Sequence, residues 1–268
     1  MTALRRRGVE VTLRVTKRAG DASTLARGLL PKTDAIAVLG GDGTVNEVIQ
    51  GMAGTGVPLG IVPGGTVNVL AIELGLPFAL EEACAIIAAG RRTTMDLGSL
   101  NGRRFALHAG AGLDALTVRE VRGDAKRRFR ELAFVAAGLS AIRRHPQPPF
   151  RVIVDGREHY ATFAVVANCS AYAGRRLRIA PEANPADGVF DVVLFRGWGF
   201  ADTATFWLGL TTGTHPYHPG TETIRGRCVR VEPLADRDVI WLQTDGEPAG
   251  RAPSVARLEP GALDVFVR

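Results

Sequence analysis

The chain is poor in the residues that mark secreted, zinc-bound or nucleic-acid-reading proteins. Its 268 residues hold three cysteines, Cys84, Cys169 and Cys228. An odd number, far apart and in apolar surroundings, reads as reduced core thiols and excludes a disulfide framework or a cysteine zinc site. Aromatics are only 6% of the residues. No stretch interleaves them with basic side chains, which argues against nucleic acid as a partner. Long apolar runs are missing as well: residues 48–72 carry no charge, yet six glycines and two prolines interrupt them, so no spanning helix forms there. Arg5-Arg6-Arg7 is followed by no apolar run and does not read as a signal peptide. Neither an internal repeat nor a low-complexity tract is present. The five histidines give no spaced ligand set, and His215-Pro216-Tyr217-His218 reads more simply as a loop than as a metal site.

Glycine, by contrast, is abundant: 32 of 268 residues, about 12% against roughly 7% in average proteins. The most informative glycines follow the apolar run Ala35 to Leu39, in Gly40-Gly41-Asp42-Gly43-Thr44. Glycines let a chain turn sharply and bring backbone N–H groups to a ligand, and a following helix start adds donors and a positive dipole end. A helix over 44–52 is predicted, with Thr44 and Glu47 spaced as a capping box and Val45, Val48, Ile49 and Met52 on one face. Asp42 is out of place in a simple phosphate loop. Either it holds Mg²⁺, or it takes a proton, or the segment is a plain corner with Asp42 at a cap. A second strand, Leu59 to Val62, runs into Pro63-Gly64-Gly65-Thr66-Val67-Asn68 and a further helix over 67–74. Two such units imply a parallel sheet with both loops at one edge, where ligands bind in open α/β folds. Downstream, Ile240 to Thr244 alternates like a strand and ends in Asp245-Gly246-Glu247. These two acidic groups suit general-base work or Mg²⁺ coordination, and the dipeptide alone also suits an ordinary hairpin turn.

Together the segments resemble the diacylglycerol kinase catalytic-domain family, the lipid kinases that also include sphingosine and ceramide kinases. The likeness runs in order through residues 40–51, 59–77, 95–98, 109–115 and 168–191 to Asp245-Gly246-Glu247-Pro248, and Ile179 to Gly188 is its most specific stretch. NAD kinases share GGDGT but are not expected to carry that stretch or the late Asp-Gly-Glu.

The resemblance implies an N-terminal nucleotide-binding α/β domain with a parallel sheet, residues 1–96, and a C-terminal antiparallel β-sandwich domain for the acceptor, residues 97–268. It implies transfer of the ATP γ-phosphate to a lipid hydroxyl with Mg²⁺ as cofactor. Gly40, Gly41, Gly43, Thr44, Gly64, Gly65, Thr66 and Asn68 would cradle the phosphates. Asp245 would be the base, with Asp42 able to exchange roles with it. Glu47 and Glu247 would be Mg²⁺ or network ligands, Asp96 a carboxylate near the nucleotide, and Thr16 a nucleotide contact. Asp187 would anchor a structural Mg²⁺, although an Asp-Gly turn is the simpler account. The chain departs from the family in three places. Val69 stands where an aspartate is usual, no closing helix follows Leu263 to Arg268, and residues 9–15 look like the family's second strand. The natural reading frame is therefore expected to extend upstream. Other readings are a nucleotide and lipid binder without turnover, or a kinase for a non-lipid acceptor such as NAD.

Residues 1–96 predict strand 9–15, helix 21–29, strand 35–39, helix 44–52, strand 59–62 and helices 67–74 and 79–89. Beyond them come short alternating runs at 105–108, 150–154, 160–167, 189–195, 228–232, 239–242 and 262–267, interrupted by helix-like insertions at 124–144 and 198–212. Net charge is +6, with arginines clustered at 5–7, 91–92, 103–104, 127–130, 143–144 and 175–178. An anionic membrane leaflet is the expected surface. Apolar residues between basic ends at 130–144 can lie in such an interface or pack on the sandwich, and Trp198, Phe200, Phe206, Trp207 and Leu208 can line an acyl groove or the core. The expected location is cytoplasmic, peripheral on the inner membrane face. A second copy of the chain is left open as a partner.

Overall fold

The computed structural model describes residues 1–120, 148–174, 176–197 and 199–268. The chain divides into two units, residues 1–97 with 260–268, and residues 98–259. The C-terminal residues thus return to the first unit, which the expected division at residue 96 did not foresee.

In the first unit, β1 (Ile36–Gly40) runs parallel to β2 (Leu59–Pro63). The last strand, β14 (Ser254–Phe266), joins them through Val265, which pairs in parallel with Leu59. Around them lie α1 (Thr2–Arg5), α2 (Asp21–Leu29), α3 (Asp42–Met52), α4 (Val69–Glu73) and α5 (Leu80–Ala89). The apolar spacing read in α3 is its buried face: Val45, Val48, Ile49 and Met52 are covered. Its start differs from expectation. The helix begins at Asp42 with Gly41 as N-cap and no side-chain cap, so Thr44 already lies inside it and no Thr44–Glu47 box forms. The predicted strand at 9–15 is absent. Those residues are irregular, Leu13 and Val15 are exposed, and only Val9 and Val11 are partly covered, against a cluster that includes Leu4, Val62 and Phe266. Alternation alone does not make a strand without a neighbour to share hydrogen bonds.

The second unit is an antiparallel sandwich. One sheet runs β10 (Thr221–Gly226), β9 (Phe190–Phe195), β8 (Phe163–Ala167), β5 (His108–Gly112), β12 (Trp241–Thr244), β13 (Glu247–Arg251). The other layer pairs the first half of β14 with β11 (Cys228–Pro233), β6 (Phe150–Val154) and β7 (Arg157–Ala161). Phe150, Val152 and Val229 from this layer meet Val166, Val192 and Leu242 from the first to form the core. The far face of the first sheet packs Phe163, Val165, Val193 and Phe195 against α6 (Leu113–Glu120) and α7 (Gly199–Thr212), through Leu113, Phe206, Trp207 and Leu210. A sheet covered on both faces needs unbroken apolar strands, which explains why β8 and β9 read as continuous runs.

The architecture is the expected one, an α/β unit with parallel pairing and a β-sandwich unit. Several boundaries differ. The run at 105–108 is the junction between β4 (Arg103–Phe105) and β5. The run at 160–167 breaks at Thr162, whose N–H leaves the ladder for the carbonyl of Phe195. The strands β3 (Arg92–Leu100), β4, β10 and β13 went unread, since polar residues fill their exposed faces. Phe206 and Trp207 are core residues, whereas Phe200 and Leu208 are exposed. The insertion expected at 124–144 and Trp198 lie outside the described residues.

Candidate phosphoryl-transfer site

In the first unit the two glycine loops touch, backbone against backbone. Gly64 donates its N–H to the carbonyl of Gly40 at 2.9 Å. A Cβ at Gly65 would stand 2.4 Å from the Cα of Gly41, so the approach requires glycine at 65, and one at Gly41 would stand a tight 3.1 Å from the Cα of Gly65. Asn68 locks the second loop. Its Oδ1 accepts from the N–H of Gly65 and its Nδ2 donates to the carbonyl of Gly65, both at 2.9 Å. Its backbone is left-handed, φ 59°, a conformation asparagine tolerates better than most residues.

The Asp42 carboxylate spans the two loops. It accepts the N–H of Asn68 at 3.0 Å and of Val69 at 2.6 Å, the first donors of α4. A cap role and a place on the first glycine loop therefore coincide in one residue. The start of α3 has no side-chain cap, and N–H groups at a helix start are ready anion donors. A Cβ built on Gly43 meets nothing within 4 Å. Gly40, Gly41, Asp42, Gly43, Thr44, Gly64, Gly65, Thr66 and Asn68 thus share one loop pair, of which Gly43 and Gly64 to Thr66 are exposed.

Other expected site residues in this unit are held elsewhere. Glu47 accepts the N–H groups of Gly20 at 2.8 Å and Ala22 at 3.2 Å and so fastens the start of α2. Buried Asp96 accepts the N–H of Gly261 at 2.7 Å, which ties down the returning C-terminal segment. Thr16 is exposed in the irregular segment before α2.

In the second unit Asp245 and Gly246 form the turn between β12 and β13, with φ 48° and 78°. Positive values at both central residues are those of a tight primed hairpin turn. The N–H of Asp245 donates to the carbonyl of His108 at 3.0 Å. Its carboxylate accepts three consecutive amides: Ala106 at 2.8 Å, and Leu107 and His108 each at 3.0 Å. Glu247 is exposed. The hairpin and the chemical reading of Asp-Gly-Glu are compatible, since the turn is what aims the aspartate. Asp187 accepts the N–H of Val189 and is ion-paired to Arg225. Among the described residues no group of three or more His, Cys, Asp or Glu gathers as a metal cage. Three buried residues beside the turn escaped the sequence reading: Asp114, Tyr172 and Gln243. Asp114 and Tyr172 fall within the stretches of family likeness at 109–115 and 168–191, but nothing there set them apart as members of one cluster.

A model of the diacylglycerol kinase catalytic domain matches residues 1–100, and a model of the YegS C-terminal NAD kinase beta sandwich-like domain matches residues 108–267. A diacylglycerol kinase of Mycobacterium tuberculosis (strain CDC 1551 / Oshkosh) is 33% identical over 277 residues, spanning 98% of this chain and 86% of its own. The chain belongs to the diacylglycerol kinase family. A second relative of that name, from Staphylococcus saprophyticus, is 28% identical over 93% of the chain and 82% of its own length. The crystal structure of a diacylglycerol kinase from Bacillus anthracis str. Sterne superposes with a TM-score of 0.77 at 21% identity, covering 100% of this chain and 89% of that one, a likeness of fold. The resemblance read from the glycine loops and the late Asp-Gly-Glu is borne out, as is the enzyme class, a kinase with an alcohol group as acceptor. Among the described residues no helix is long and apolar enough to cross a membrane.

Proposed function

We propose that this family member transfers the γ-phosphate of ATP to the hydroxyl of a diacylglycerol-like lipid. The observation that carries the reading is the start of α3, with glycine as its N-cap, on two touching glycine loops, with open space at Gly43. Backbone donors of Gly40, Gly41, Gly43 and Thr44, with Gly64, Gly65, Thr66 and Asn68, bind the phosphates. Magnesium carried by a nucleotide needs only one or two carboxylates beside the phosphates, so the absence of a three-residue cage among the described residues fits it. Asp42 would hold the ion, and the ion would neutralise charge on the transferring group. Asp245 takes the proton of the acceptor hydroxyl as that oxygen bonds to phosphorus, while ADP leaves with the electrons of the broken P–O bond. A positioned base of this kind contributes on the order of 10²–10⁴-fold, and alignment and charge stabilisation supply most of the rest.

The test is incubation of the purified chain with γ-labelled ATP, Mg²⁺ and a panel of lipids, with NAD as a control acceptor. Label in lipid supports the reading. Label in NAD alone overturns the acceptor class, and ATP binding without label in any acceptor makes the chain a binder. The arginine-rich composition also points to an anionic bilayer surface, where each basic residue contributes about 1 kcal/mol. Binding to vesicles is expected to rise with anionic lipid content and to fall with salt. Equal binding to neutral vesicles at low and high salt would sink that part.

A further inference from the structure

A buried chain of hydrogen bonds ends on the residue next to Asp245. Asp114, in the first turn of α6, is fully buried. The Tyr172 hydroxyl donates to its Oδ1, and Gln243 donates through Nε2 to its Oδ2 at 2.6 Å. Gln243 is itself fully buried on β12, and its Oε1 accepts the N–H of Gly246 at 2.8 Å. The orientation of that amide is forced, because an ionised carboxylate only accepts and a backbone N–H only donates. No flipped Gln243 satisfies both neighbours.

The sheet is shaped to admit this network. Gly110 pairs with Gln243 across β5 and β12, and a Cβ at position 110 would lie 1.5 Å from the Oδ2 of Asp114. Against Tyr172 rests the ring of His108, centroids 4.9 Å apart, whose Nδ1 is buried with no hydrogen-bond partner among the described residues. The backbone of His108 grips Asp245 through both its N–H and its carbonyl. The catalytic turn is thus held from β5 on one side and from Gln243 on the other. A buried carboxylate is costly, and an apolar group fills such a place more cheaply. Burial pushes Asp114 up to about 6, although the bonds from Tyr172 and Gln243 pull the other way. That cost is accounted for when the network has a task at its end.

We propose that Asp114 is a positioning residue for Asp245: its carboxylate fixes the Gln243 amide, and Gln243 fixes Gly246, so that the left-handed turn holds the Asp245 carboxylate where proton transfer requires it. This rests on the reading of Asp245 as the base. Among the described residues, the titratable groups facing Asp114 are Tyr172, from the segment after β8, and beyond it His108 of β5.

The test uses steady-state kinetics of the full chain with a diacylglycerol acceptor. Gln243→Met removes both hydrogen bonds at nearly constant length. Its kcat should fall roughly 10- to 100-fold, as expected of a base displaced by a fraction of an ångström, with KM for ATP within about twofold of the parent. Gln243→Glu keeps an acceptor for Gly246 but sets a second carboxyl against Asp114, so the pair must share a proton. Its kcat should hold near about pH 6 and fall toward about pH 8, which a purely structural role would not produce. This second variant also decides the matter if Gln243→Met does not fold. Unchanged kcat in Gln243→Met, or a Gln243→Glu profile parallel to the parent's, overturns the proposal. If Asp245→Asn is inactive while Gln243→Met is fully active, the positioning role alone fails. If Asp245→Asn turns over normally, the base assignment fails and takes the positioning role with it.

Discussion

Two aspartates are held by backbone amides in this chain, and they are held differently. Asp42 reaches from the start of one helix to the first amides of another, across glycine loops that are partly exposed. Asp245 sits on a tight turn, its carboxylate on three consecutive amides of a neighbouring strand and its turn tied to a fully buried glutamine. The difference matches the two tasks proposed for them. Phosphates are bound by many weak, adaptable backbone donors, and an open loop pair can close on them. Proton transfer depends on one atom at one place, which calls for a rigid mount.

The sharpest way to break that comparison is to exchange each carboxylate for an amide. In Asp245→Asn one acceptor oxygen is replaced by a donor that faces backbone N–H groups, so the fold should lose about 1–3 kcal/mol. Turnover should fall on the order of 10²–10⁴-fold while ATP affinity, a property of the other unit, stays within about twofold. Asp42→Asn should weaken nucleotide binding and turnover together. Radiolabel transfer and calorimetric ATP titration read the two quantities separately. If Asp42→Asn abolishes transfer at unchanged ATP affinity, the two residues exchange roles.

A smaller effect separates glycines that serve the loop contact from glycines that serve the ligand. Gly65→Ala places a Cβ against the backbone of Gly41, which cannot retreat as a side chain would. A loss of about 1–3 kcal/mol or more is expected, with nucleotide affinity falling as a consequence. Gly43→Ala meets open space within α3, where alanine is favoured over glycine by about 0.5–1 kcal/mol. Its unfolding midpoint should rise slightly while ATP affinity drops. Unchanged affinity in Gly43→Ala would mean that phosphate does not approach there.

What the sequence showed, and what it hid, follows from the same physics. The strand–glycine–helix order was legible because glycine runs after apolar runs are local signals, and Asp42 stood out among them. That Asp42 caps α4 was not legible, since the contact joins residues 26 and 27 positions apart. The late Asp-Gly-Glu was readable both as a hairpin and as chemistry, and only the three amides of residues 106–108 show that the turn aims the carboxylate. Residues 9–15 misled through alternation that no partner strand supports. Asp114 and Tyr172 lay inside stretches of family likeness and Gln243 inside a strand that was read, but their clustering stayed hidden because a buried polar cluster has no period and its members are far apart in sequence.

The smallest expected effect tests that hidden cluster through pH. Burial raises Asp114 to about 6 from 3.8 and lowers His108 to about 4 from 6.5. Between about pH 4 and 6 the folded chain keeps a proton on Asp114 that the unfolded chain has released, so this group makes stability fall as pH rises. Over the same window the unfolded chain protonates His108 and the folded chain does not, so this group makes stability fall as pH drops. Each slope is about 1.4 kcal/mol per pH unit where its group is fully shifted, and the two oppose. In the parent they should nearly cancel. Asp114→Asn should expose the histidine and lose stability relative to the parent as pH falls from about 6.5 to about 4, whereas His108→Gln should gain relative stability over that window. Urea unfolding at several pH values reads both slopes. If Asp114→Asn runs parallel to the parent, the buried carboxyl titrates alike in the folded and unfolded chains, and the mount of Asp245 carries no charge that burial perturbs.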